Sequence, residues 1–97
     1  MVRHVVFFKF KQEVSDEQRK SAIAALRALP GVIEEIRTFE VGEDVIRSPR
    51  AWDMVLLATY DDLEALQRYA VHPQHVAAAN LLKAACEDIG SVDYEYS

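Results

Sequence analysis

Three histidines and a tyrosine are the side chains here best suited to moving protons. Tyr69, His72 and His75 fall within Tyr69-Ala70-Val71-His72-Pro73-Gln74-His75-Val76, and His4 lies near the start of the chain. A histidine in an apolar pocket stays near-neutral and can accept a proton close to pH 7. A neighbouring phenol can hydrogen-bond an enolate oxygen. Metal chemistry fits less well. His72 and His75 are three apart across a proline, unlike the i, i+4 helical pair of zinc hydrolases, and only His4 remains as a third imidazole. Each residue also has a structural reading. His75 could be a hydrogen-bonded core histidine, His4 a structural one and Tyr69 plain core, while His72, preceding a proline, suits a cap or turn.

Positioning these groups falls to the elements around them. Proline at 73 breaks a helix running into His72 and restarts it. Beyond the break His75, Ala78, Leu82, Ala85 and Ile89 recur at helical spacing on one face, with Gly90 as the stop. Before it, Asp61 and Glu64 give a capping-box spacing, with Leu63, Leu66 and Ala70 as the stripe and Tyr69 at its flank. An earlier helix starts at Ser15, with Gln18 three residues on, buries Ala22, Ile23, Leu26 and Leu29, and ends at Pro30-Gly31.

Four extended segments complete the chain. Residues 3 to 10 alternate, placing His4, Val6, Phe8 and Phe10 on one face and Arg3, Val5, Phe7 and Lys9 on the other. Val32 to Gly42 carries enough charge for an edge strand, followed by a loop from 43 to 50. Ala51 to Tyr60 is a third strand, with Trp52, Met54, Leu56, Ala58 and Tyr60 sharing a face, and Ser91 to Tyr96 a fourth. Strand, helix, strand, strand, helix, strand, with right-handed crossovers, predicts a ferredoxin-like βαββαβ fold with a four-stranded antiparallel sheet whose central strands are the first and third.

Two helices cover one face of such a sheet. The other exposes Val5, Phe7, Val55 and Leu57, a larger apolar patch than a monomer usually tolerates, so a homodimer packed sheet to sheet is expected. Composition narrows the remaining partners. A single domain of 97 residues, 51% hydrophobic, with net charge −5 and no basic block argues against nucleic acid or anionic membrane. No secretory layout opens the chain and no apolar run approaches the ~20 residues of a membrane span, so a cytoplasmic protein is expected. Cys86 is alone, which excludes an internal disulfide and suits a buried inert thiol.

Taken together, certain pieces resemble the stress-responsive A/B-barrel domain family, a branch of the dimeric α+β barrel proteins. They are His4 with Val5-Val6-Phe7-Phe8-Lys9-Phe10-Lys11, Phe39-Glu40-Val41-Gly42, Trp52-Asp53, Tyr60 with Asp62-Leu63-Glu64-Ala65-Leu66, Tyr69 with His72-Pro73-Gln74-His75-Val76, and Asp93-Tyr94-Glu95. The resemblance spans the whole chain. It implies two sheets closing a dimeric α/β barrel and a small pocket in each subunit between sheet and helices.

Most of the family has no assigned activity, but one plant branch is a cofactor-free polyketide cyclase. Its pocket residues correspond to Tyr69, His75 and His4, with His75 implied as general base, Tyr69 as its orienting partner or enolate donor, and His4 as a polar wall. Phe8, Trp52, Met54 and Leu82 are then expected as ligand-binding walls, with His72 beside them. No cofactor or metal is implied for that chemistry, although some relatives hold a cation on carbonyls equivalent to those of Leu26, Leu29 and Val32. This chain departs from the cyclase branch where its first helix and third strand present Ala22, Ile23 and Leu26, and Trp52, Met54, Leu56 and Ala58. The readings carried forward are a pocket dimer binding a small oxygenated molecule, a cofactor-independent cyclase, isomerase or monooxygenase, and a stress-protective dimer without ligand.

Overall fold

Alternation of large apolar groups makes Val2–Phe10 a nine-residue strand, β1, with Val2, Val6, Phe8 and Phe10 buried and His4 on the same side. A computed structural model describes all residues from 1 to 97. Helix α1, Asp16–Arg27, starts where the Ser15 hydroxyl accepts the Gln18 amide at 3.0 Å, and it buries Ala22, Ile23 and Leu26. Pro30 turns the chain through one 3-10 turn, Leu29–Gly31.

The second strand, β2, is shorter than the expected Val32 to Gly42 and covers Thr38–Glu43. Arg37 is the reason. Its guanidinium bonds both carboxylate oxygens of Asp61 at 2.9 and 2.8 Å and the Glu34 carbonyl at 3.2 Å, which folds residues 32 to 37 into a turn. Ile33 is then a core plug, not a strand residue.

Strand β3, Met54–Tyr60, begins after Trp52, also later than expected. The Asp53 amide donates to the Phe8 carbonyl at 2.9 Å, while an Asp53 carboxylate oxygen accepts the Phe10 amide at 2.8 Å. A side chain inserted into the ladder replaces a backbone rung. The chain bends there, and Trp52 crosses to the opposite face, its ring 5.9 Å from that of Phe7.

Helix α2, Leu63–Val71, is capped by Asp62, not Asp61, because Asp61 is taken by Arg37; the Asp62 carboxylate accepts the Ala65 amide at 2.8 Å. On this helix Ala65 and Tyr69 are buried and Leu66 packs partly buried against the core, while Leu63 and Ala70 of the expected stripe are exposed. Helix α3, Pro73–Ala85, buries Ala78, Leu82 and Ala85 and stops four residues short of Ile89. Strand β4, Cys86–Glu95, follows without a loop, and Ile89 and Gly90 pair with Phe8 and Phe7 of β1. Pairing along all of β1 satisfies backbone groups that a longer helix would have left without an edge partner.

The sheet order is β2-β3-β1-β4, every neighbouring pair antiparallel, with β1 and β3 central. This is the ferredoxin-like arrangement. All helices lie on one face, where the sheet and helices enclose the core. On the other face Val5, Phe7, Val55 and Leu57 remain partly exposed, joined by Val92 at 56% and Tyr94 at 43% exposure. No helix is long and apolar enough to cross a membrane.

Candidate functional site

The joint between α2 and α3 creates the chemistry of the site. In an unbroken helix the Ala70 carbonyl would accept the amide of Gln74, but Gln74 donates instead to the His72 Nδ1 at 3.1 Å. His72 is thereby fixed as the N-cap of α3, as its position before proline suggests. The freed Ala70 carbonyl accepts a hydrogen bond from His75 Nδ1 at 2.9 Å. A carbonyl can only accept, so the neutral His75 ring carries its proton on Nδ1 and Nε2 keeps its lone pair. Burial lowers the His75 pKa below the ordinary 6.5, the Ala70 bond partly opposes this, and the nearby His4, Lys83 and His72 lower it further. At neutral pH this ring is a base.

Tyr69 packs against that ring, with centroids 4.4 Å apart, and Tyr60 lies behind Tyr69 at 5.0 Å. His4 stands edge-on to Tyr69 at 6.0 Å. On the other side, His4 Nδ1 hydrogen-bonds the carboxylate of Asp93, its cross-strand partner on β4. Both phenol hydroxyls are buried without a hydrogen-bond partner. Burial pushes Tyr69 up to about 12, with Tyr60 opposing the shift, and burial together with Tyr69 and Asp93 raises Tyr60 well above its ordinary value. Each phenol is a donor at any physiological pH.

His4, Tyr69 and His75 border one cavity of about 220 Å³ between the sheet and the helices. Val6, Phe8, Leu56 and Leu82 form its apolar walls, while Ser91 and Lys83 are polar groups along it. Of the expected ligand walls, Phe8 and Leu82 are therefore in place. Three others are not. Met54 is core at 1% exposure, Trp52 lies on the far face after the Asp53 bend, and His72 is occupied as the joint. Asp93 and Tyr60 are the polar neighbours that sequence reasoning missed. The register of β4 against β1, which puts Asp93 opposite His4, was the signal for the first.

A second cleft, about 490 Å³, is larger but carries no comparable chemistry. It is lined mostly by charged and polar groups, among which Arg47 bonds Asp44 at 3.1 Å and Asp53 at 2.6 Å. No cluster of three or more histidine, cysteine or acidic side chains could hold a metal ion. Of the carbonyls considered for a cation, that of Leu29 already accepts the amides of Val32 and Ile33, each at 3.0 Å. Cys86 is a buried free thiol, raised by burial to about 11, and so a poor nucleophile at neutral pH.

Comparison with known proteins agrees with this architecture. The family model for the stress responsive A/B barrel domain matches residues 2–96. An uncharacterized protein of Streptomyces coelicolor is 38% identical over 98 residues, covering 99% of this chain and 100% of that one. Olivetolic acid cyclase of Cannabis sativa is 24% identical over 95 residues, 96% of this chain and 94% of the cyclase. Among solved structures, a dimeric ferredoxin-like protein of unknown function from Bacteroides fragilis superposes with a TM-score of 0.82 at 36% identity, covering 98% of this chain and 95% of that one.

Proposed function

The chain belongs to the stress-responsive A/B barrel domain family, and from that premise we propose that it is a cytoplasmic homodimer in which each subunit binds a small, largely apolar molecule bearing an oxygen group. One observation carries the reading. A mostly apolar cavity of about 220 Å³ has His4, Tyr69 and His75 converging on it, with the Tyr69 hydroxyl unpartnered. A core that needed only to be filled would be better served by hydrocarbon, since an unpaired buried hydroxyl costs roughly 1–3 kcal/mol. Dimerisation is supported by the apolar open face of the sheet and by structural relatives described as dimeric. The experiment is calorimetric titration with small aromatic ketones and phenols. Saturable binding that Tyr69→Phe weakens is the expected result, and no binding across the series would sink the reading.

A second reading, cofactor-independent proton transfer on the bound molecule, is favoured by the His75 tautomer. The Ala70 bond leaves Nε2 unprotonated on a ring that borders the cavity, which is what a general base requires. Tyr69 would supply a hydrogen bond to the enolate formed when that base removes a proton. Similarity to olivetolic acid cyclase points the same way. The test is His75→Ala on a panel of polyketide and aromatic ketone substrates. Turnover should fall by about 10²–10⁴-fold with binding retained; equal turnover by parent and variant would remove His75 from the chemistry.

A further inference from the structure

Behind the cavity wall stands a polar group that the site has not yet used. Tyr60, at the end of β3, is 0% exposed, and Tyr69, on α2, is 1% exposed. Their rings meet at 5.0 Å, inclined by 49°, and neither hydroxyl has a hydrogen-bond partner. Buried polar groups without partners are uncommon, and two side by side in a core call for an explanation beyond packing. Tyr69 borders the cavity and Tyr60 does not.

We propose that Tyr60 is a positioning residue: its O–H donates to the Tyr69 oxygen while the Tyr69 O–H donates into the cavity, so that the site selects molecules with an accepting oxygen, a ketone or enolate, over hydrocarbons of the same shape. The two hydroxyls do not pair as they stand, but turning the Tyr69 O–H into the cavity presents its lone pairs to Tyr60. Position sets the direction of the chain. Tyr60 stands behind Tyr69 and does not border the cavity, so the Tyr69 oxygen is the acceptor within its reach, whereas Tyr69 has the cavity on its other side. Tyr60 is thus the donor and Tyr69 the relay. His4 stands edge-on to both rings, at 6.2 and 6.0 Å, with its Nδ1 committed to Asp93. A donor in line behind another strengthens the outer bond by polarising it.

This inference rests on the cavity being a binding site, and the experiment separates the two. Acetophenone and isopropylbenzene, alike in shape but only one with an accepting oxygen, are titrated calorimetrically into the full-length parent and into Tyr60→Phe. The parent should favour acetophenone, and Tyr60→Phe should cut that preference by about three- to ten-fold, the scale of one hydrogen bond, while isopropylbenzene binding and the melting temperature do not fall. An unchanged preference, or equal losses for both probes, would overturn the role of Tyr60 and leave the binding site standing. A parent that binds both probes equally would overturn it as well. If the parent binds neither probe, the inference falls together with the binding reading.

Discussion

The two faces of the central strand β1 make opposite use of the same kind of residue. On the covered face Val6 and Phe8 meet helices α1 to α3, and the packing stops short of complete, leaving a cavity that His4, Tyr69 and His75 border. On the open face Val5 and Phe7, with Val55 and Leu57 beside them, are uniformly apolar but uncovered. The difference teaches that the polar lining of the cavity and the apolar open patch are separated by side-chain parity. A one-residue step along β1 passes from a site with satisfied walls and unsatisfied hydroxyls to a surface with nothing to satisfy except its own hydrophobicity.

The most severe way to break the comparison is to place a charge on the open face. Phe7 is already partly buried within the subunit, so the larger cost of Phe7→Asp is taking a carboxylate into an apolar interface, roughly 2–3 kcal/mol per subunit, and twofold symmetry counts it twice, about 5 kcal/mol per dimer. Dimer affinity should fall by roughly 10³–10⁴-fold, giving a monomer by light scattering at micromolar concentration with its far-UV circular dichroism unchanged. A parent that is already monomeric, or a variant that stays dimeric, would show that the open face is not the interface.

The same truncation logic on the covered face should act on folding instead. Leu56 is 2% exposed and forms part of the cavity wall. Leu56→Ala should cost about 2–5 kcal/mol, toward the lower end because a wall already bordering a cavity loses fewer contacts. Urea unfolding would measure it, with the cavity variant remaining dimeric at concentrations where Phe7→Asp is not. If Leu56→Ala dissociates the dimer as readily as it destabilises the subunit, the two faces are not independent.

How far this division could be read in the sequence depends on which interactions decide each element. Alternation in Val2–Phe10 and the Ser15 cap are local, and both were legible, as were the strand order and the convergence of His4, Tyr69 and His75. The misreadings share a cause: a long-range polar bond. Asp61 looked like a cap until Arg37 claimed it, Trp52 shared parity with Met54 until Asp53 broke the ladder, and Ile89 continued a helical stripe until β1 offered it an edge. Periodicity cannot register a partner 24 or 43 residues away. The apolar pattern placed His75 on the correct face, but its tautomer came from a carbonyl released when the Gln74 amide turned to His72, a consequence legible only once the joint is built.

The smallest effect concerns the pH response of that joint. The folded-state pKa of His75 is depressed, burial being the main cause, so below about pH 6.5 the unfolded chain binds a proton that the folded chain resists. Stability from this group is therefore complete above pH 6.5, and it is lost as pH falls from there through the lower folded value. His75→Gln removes the titration while keeping a donor for the Ala70 carbonyl, and should flatten the decline in melting temperature between pH 7 and 5. The open face holds no histidine, so Phe7→Asp should leave the histidine-dependent part of the decline in place. Should His75→Gln decline as steeply as the parent, the His75 ring is as well solvated as an exposed histidine. The covered face would then lose its claim to hold a buried base, though it would keep its cavity.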